Sequence, residues 1–168
     1  MSDERFKKER LKNIEDRIGE FLVKNKLTIA TAESCTGGMV AARLVNYPGI
    51  SEVFMEGAVT YCNAAKMNRL GVKGETLENN GAVSHETAGE MALGIAKTSG
   101  TDIGLSTTGI AGPGGGTPEK PVGLVYIGLN IRGSVITREL RLSGDRQSIR
   151  EKAALEALEL LEEELLKL

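Results

Sequence analysis

The stretch that decides the fold runs Leu27-Thr28-Ile29-Ala30-Thr31-Ala32 and then Glu33-Ser34-Cys35-Thr36-Gly37-Gly38. Its first half is short and rich in β-branched residues, which predicts a strand. Thr36-Gly37-Gly38 then leads into a helix reaching about Leu44, and Asn46-Tyr47-Pro48-Gly49 breaks it. Strands separated by helices pair in parallel through right-handed crossovers.

The same alternation continues on both sides. Residues 4–25 read as an amphipathic helix, with Leu11, Ile14, Ile18, Phe21 and Leu22 mostly three or four apart. Gly57-Ala58-Val59-Thr60-Tyr61 predicts a second strand, followed by a short helix from Ala64 to Leu70 that Gly71 stops. Ser84-His85-Glu86-Thr87 opens a further helix whose apolar face is Ala88, Met91, Ala92 and Ile95. Ile103 to Thr108 is a third strand, and a Gly/Pro-rich loop spans 109–120. Val122 to Ile131 and Val135 to Leu142, joined by Arg132-Gly133-Ser134, carry a hairpin signal. After Ser143-Gly144-Asp145 comes a long helix with Ile149, Ala153, Ala157, Leu161 and Leu165 at four-residue spacing. The expectation is one α/β domain over residues 1–168, with helices in 1–25 and 143–168 at its ends. It has three α/β/α layers and a mixed sheet of about five strands, at least one of them antiparallel. Ligands of such sheets bind beyond the carboxyl ends of the parallel strands.

Composition removes several classes of function. Twenty-one Lys and Arg against 23 Asp and Glu leave a formal charge of −2, without the basic surplus of a nucleic-acid binder. One histidine, His85, and two cysteines, Cys35 and Cys62, cannot supply a zinc site of four cysteines, or of two cysteines and two histidines, and provide no disulfide framework. No cofactor is expected. Hydrolytic chemistry would rest on Ser, Lys, Tyr, Asp or Glu. The charged start Met1 to Lys8 lacks the apolar core of a signal peptide, and no apolar run is long enough to span a membrane. The cytoplasm is the expected compartment.

Four segments could carry chemistry. Ser34, at the strand-to-helix junction 32–38, is either a nucleophile or a helix cap, with Thr36 the other cap candidate. Cys35 is a rival nucleophile, although small buried cysteines are common. In Tyr61-Cys62-Asn63-Ala64-Ala65-Lys66, Asn63 is the natural cap and Lys66 falls in the first helical turn. There it is either a base with a lowered pKa or a solvated lysine. The loop from Thr107 to Pro121 has four glycines within five residues, yet matches neither the Walker nor the Rossmann pattern. It reads as a ligand loop or as a flexible turn. Arg146 and Arg150 lie one turn apart at a helix start capped by Asp145. A bound phosphate would offset their repulsion, and solvation is the alternative. His85, beside the cap Ser84, reads as structural.

Five stretches in order carry a resemblance: AESCTGG (32–38), GAVTYCNAAKMNRLGV (57–72), GAVSHETAGEMALG (81–94), TTGIAGPGGGTPEKPVGLVYIG (107–128) and GDRQSIR (144–150). Together they make the chain similar to the C-terminal domain of the CinA (competence/damage-inducible) family over nearly all of residues 10–165. The upstream nucleotide-processing domain of longer CinA proteins is not in the sequence, so a stand-alone form is expected. The resemblance implies an anticodon-binding-domain type of sheet, and deamidation of nicotinamide mononucleotide to nicotinic acid mononucleotide and ammonia in pyridine nucleotide recycling. It also implies a metal-free amidase step and self-association into homo-oligomers. On this basis Ser34 attacks the carboxamide, and Lys66, relayed by Tyr61, moves the protons. Backbone N–H groups near Thr36, Gly37 and Gly38, or from Gly109 to Gly112 beside Thr108, hold the oxyanion, and Arg146 binds the 5′-phosphate. The alternatives are a non-catalytic pyridine-nucleotide-binding module, and a hydrolase of another nucleotide.

Overall fold

The computed structural model describes residues 12–168. The elements in chain order are α1 (Ile14–Asn25), β1 (Ile29–Glu33), α2 (Met39–Leu44), a 3-10 turn (Ile50–Glu52), β2 (Phe54–Val59), α3 (Asn63–Leu70), α4 (Gly74–Asn80), α5 (His85–Ser99), β3 (Ile103–Gly109), β4 (Leu124–Ile131), β5 (Ser134–Arg141) and α6 (Arg146–Leu165). The part of the expected N-terminal helix before Lys12 lies outside the described residues.

The five strands form one sheet in the order β2-β1-β3-β4-β5. β1 pairs in parallel with β2 and β3, whereas β4 is antiparallel to both β3 and β5, so β4 alone runs against the rest. The hairpin turns on Arg132 and Gly133, both at positive φ (50° and 93°). That conformation matches the twist of the two strands. Helices α1, α2 and α6 cover one face over a core that includes Ile18, Leu22, Leu44, Leu105, Ile127 and Leu158. On the other face α5 lies on the sheet, flanked by α3 and α4, over Ala30, Ala32, Met91 and Ile95. The architecture is the three-layer α/β/α domain that the alternation predicts.

Helix α5 lies very close to the sheet. A Cβ at Gly104 would come within 2.0 Å of the Ala92 carbonyl oxygen, and one at Gly128 within 2.1 Å of the Ala88 oxygen. Ser106 fills the remaining space by donating to that same Ala88 oxygen at 2.6 Å. The close approach fixes the N-terminal end of α5, and the turn before it, over the carboxyl end of β3.

Local signals set most of the boundaries. Ser84 caps α5 by accepting from the Thr87 N–H, and Asp145 caps α6 by accepting from Ser148. Gly71 ends α3 in the left-handed conformation. Two expectations are corrected. The cap of α3 is Cys62, whose Sγ accepts from the Ala65 N–H at 3.4 Å, and Asn63 is the first helical residue. Neither Ser34 nor Thr36 caps α2; its cap position is Gly38, which has no side chain to offer. The buried carboxylate of Glu33 substitutes, accepting from the N–H groups of Val40 (2.8 Å) and Ala41 (3.1 Å) and from the Thr36 hydroxyl (2.6 Å). The short helix α4 and the 3-10 turn have no counterpart in the expected elements.

Candidate active site

The parallel strands deliver three chain segments to one end of the sheet. Glu33 stands opposite Val59 on one side and Thr107 on the other. The ladder extends one step further: Ser34 N–H donates to the Thr107 carbonyl (3.0 Å), and Thr60 N–H donates to the Glu33 carbonyl (2.9 Å). Ser34 and Thr60 therefore leave the sheet side by side, beyond the carboxyl ends of β1 and β2, next to Thr108 in the last pairs of β3.

A cavity of about 280 Å³ opens there. Ser34, Cys35, Tyr61 and Lys66 line one side, and Thr108 to Gly112 with Gly114 and Gly115 line the other. Arg146 and the Ala82-Val83 turn complete the wall. The Gly/Pro loop is tied to that turn at two points. Thr108 Oγ1 donates to the Ala82 carbonyl at 2.6 Å, and Lys120 Nζ donates to the Val83 carbonyl at 2.8 Å and to that of Asn80. It is a clamped wall of the cavity. The single lysine among its glycines and prolines was the available signal for this tether.

Lys66 is only 1% exposed, so the solvated alternative does not hold. Its Nζ contacts the Ser34 Oγ at 3.1 Å, the Thr60 carbonyl at 2.8 Å and the Tyr61 carbonyl at 3.4 Å. Among the described residues it forms no salt bridge. Burial pushes its pKa below the usual lysine range, because the charged form is the one that loses most on leaving water; ionised thiols at Cys35 or Cys62 would act in the opposite sense. Cys35 does not supply such a charge. Burial pushes its own thiol up to about 12, which also makes it a poor nucleophile beside Ser34.

The other expected residues divide. Tyr61 is 61% exposed, and its hydroxyl accepts from Arg146 Nη2 at 3.1 Å. Only its main-chain carbonyl faces Lys66, so this structure contains no hydroxyl relay between the two. Arg146 also donates to the Gly112 carbonyl at 2.7 Å, so the guanidinium bridges Tyr61 and the Gly loop on the cavity wall. Thr108, Gly109 and Gly112 are on the cavity wall; Thr36, Gly37 and Gly38 are not. Thr36 is fully buried with its hydroxyl held by Glu33 and Thr107, and the Gly37 N–H is taken by the Ser34 carbonyl at 3.1 Å. Arg150 is turned away from Arg146 and donates to the Cys35 and Thr36 carbonyls (3.0 and 3.2 Å). Side chains one turn apart thus serve different loops. His85 contacts Thr137 and meets the Tyr126 ring edge-on, outside this cavity.

A serine hydroxyl paired with a buried lysine amine, in a cleft beyond the parallel strands of a mixed sheet, defines a protein with the groups for acyl transfer without histidine. Residues 11–165 match the CinA C-terminal domain, and the chain belongs to that family. A relative from Clostridium acetobutylicum, named for competence-damage inducibility, is 65% identical over 156 residues, covering 93% of this chain and 38% of its own length. A Clostridium novyi relative of the same name is 61% identical over 92% of this chain and 37% of its own. The chain thus spans well under half of the curated relatives it matches. Crystal structures agree with the fold. A CinA superfamily protein from Klebsiella pneumoniae superposes with a TM-score of 0.88 at 35% identity, covering 92% of this chain and 97% of that one. A competence/damage-inducible protein from Agrobacterium tumefaciens gives 0.82 at 42% identity, over 89% and 94%. No helix among the described residues is long and apolar enough to cross a membrane.

Proposed function

We propose that the protein is an amidohydrolase that converts nicotinamide mononucleotide to nicotinic acid mononucleotide and ammonia, as a step in pyridine nucleotide recycling. The observation that carries this reading is the buried Lys66 amine on the Ser34 hydroxyl, in a cavity that also presents Arg146. A neutral amine has two N–H groups and one lone pair. The Thr60 and Tyr61 carbonyls accept the two N–H groups, which leaves the lone pair for the serine proton.

Ser34 Oγ attacks the carboxamide carbon while Lys66 takes its proton. The amides of Ala111 and Gly112, on the opposite wall, are assigned to the developing oxyanion. Collapse breaks the C–N bond as the Lys66 ammonium returns the proton to nitrogen, releasing ammonia and leaving an acyl-serine. Water, deprotonated by Lys66, then frees the carboxylate and restores the serine. Arg146 exchanges its Gly112 and Tyr61 contacts for the 5′-phosphate, whose geometry suits a guanidinium.

The deciding experiment is ammonia release from nicotinamide mononucleotide, the riboside and free nicotinamide, without added metal. Turnover confined to the mononucleotide supports both roles. Binding of the mononucleotide without ammonia release makes the protein a nucleotide-binding module instead, and release from a different nucleotide amide redirects the substrate.

A further inference from the structure

Arg150 is not needed for the chemistry just described, yet it is built into the turn that carries the nucleophile. Its Nε donates to the Cys35 carbonyl at 3.0 Å and its Nη2 to the Thr36 carbonyl at 3.2 Å, while Nη1 donates to Gln147 Oε1 at 3.1 Å. The fit is close, since a Cβ on Gly37, which sits at φ +59°, would be 3.2 Å from Nη2. From the other side, Glu33 holds the Thr36 hydroxyl and the start of α2. The turn from Ser34 to Gly38 is therefore gripped by a cation on two of its carbonyls and by a carboxylate on its Thr36 hydroxyl, the same carboxylate that holds the first amides of α2.

Two features make this more than a staple. A planar peptide points its C=O and N–H in opposite directions, so drawing the Cys35 carbonyl onto Arg150 turns the Thr36 N–H away from it. Fixing the two peptides that follow Cys35 and Thr36 fixes the path of the turn immediately after Ser34, whose own carbonyl accepts from the Gly37 N–H within that turn. Arg150 also lies one turn beyond Arg146 on the same helix, so α6 ties the serine turn and the Gly-loop wall of the cavity to one rigid element. We infer that Arg150 is a positioning residue for Ser34: its two-pronged grip on the Cys35 and Thr36 carbonyls holds the serine at attack distance from substrate and in line with Lys66. The inference rests on the nucleophilic role of Ser34 proposed above.

The test compares Arg150→Ala and Arg150→Lys with the wild type in two assays, mononucleotide hydrolysis and labelling of Ser34 by a fluorophosphonate followed by intact mass. Misplacing a reacting group by about 1 Å costs on the order of 100-fold. Arg150→Ala should therefore lose about 10–100-fold in kcat and a similar factor in labelling rate, with KM within about twofold of wild type. Arg150→Lys keeps the charge but cannot span two carbonyls, and should stay impaired. Added guanidinium ion should restore part of the activity of Arg150→Ala. Unchanged kcat and labelling in the folded variants would make Arg150 a fold staple only, and a raised KM at unchanged kcat would make it a substrate contact. Either result overturns the inference while leaving Ser34 as nucleophile. If the wild type is labelled but releases no ammonia, only the substrate reading fails, and the labelling rates still decide the role of Arg150. A wild type that is neither labelled nor active overturns the nucleophile and this inference together.

Discussion

The Lys66 amine lies 3.1 Å from the Ser34 hydroxyl, and its other two contacts are main-chain carbonyls. A carboxylate at either position would hold the lysine protonated. Carbonyls accept N–H groups without demanding a full charge, so burial can favour the free amine.

This arrangement sets the pH dependence of activity. The free enzyme needs neutral Lys66, so kcat/KM should rise with pH through an acid limb centred below the ordinary lysine value of 10.5. Lys66→Ala and Ser34→Ala should each lose at least about 100-fold in turnover, and Lys66→Arg should not recover it because arginine stays charged. A pH–rate profile with single-turnover controls checks both. Near-normal turnover in folded Lys66→Ala would remove the lysine from the mechanism.

Stability should carry the same signature. Between the lowered folded-state pKa of Lys66 and 10.5, the unfolded chain binds a proton that the folded protein does not. Unfolding free energy attributable to this residue therefore rises with pH across that window, and its penalty is fully present below it. Urea denaturation at a series of pH values should show the wild type gaining on Lys66→Met as pH rises. A difference that stays flat would mean that the folded and unfolded pKa values coincide.

Glu33→Ala should destabilise the domain by about 2–3 kcal/mol, since it combines the loss of a helix cap with buried donors left unpaired. The donors are the Val40 and Ala41 amides and the Thr36 hydroxyl. Thermal or urea unfolding measures this directly, and Glu33→Gln, which can satisfy one amide but not two, should fall between.

Arg146→Ala should raise KM for the mononucleotide by about 10–100-fold, the scale of a charged hydrogen bond, and leave kcat largely intact. The riboside has no phosphate, so its kinetics should not respond. Tyr61→Phe removes only the hydroxyl that accepts from Arg146 and should have a smaller effect on KM. Equal losses for mononucleotide and riboside would place Arg146 elsewhere in the reaction.

Gly128→Ala tests the contact between helix and sheet. The added methyl would meet the Ala88 carbonyl at 2.1 Å, and backbone on both sides leaves little freedom to relax. A loss of about 3 kcal/mol or more is expected, at the upper end for overpacking. A melting temperature near that of wild type would show that α5 can lift from β4.

Much of the fold was legible because its signals are local. The β-branched run at 27–32, the Ser84 and Asp145 caps, the Gly71 stop and the Arg132-Gly133 turn each act within a few residues, and the structure uses all of them. Ser34, Lys66, Thr108 and Arg146 could be singled out by residue type and by their place at strand and helix ends. Their roles could not be read from the chain alone. Lys66 is buried only because its helix packs against α5 and brings it to a serine 32 positions earlier. Glu33 caps α2 from the end of the preceding strand, across a turn whose path no propensity specifies. Arg146 and Arg150 look equivalent in sequence, but a helix sends residues one turn apart to different neighbours once it is docked. One meets the Gly loop, and the other meets the serine turn more than a hundred residues before it. Sequence determined the elements because propensity, capping and turn geometry are short-range. The tertiary structure alone decided what each charged group does, because desolvation and the choice of hydrogen-bond partner depend on neighbours that only packing supplies.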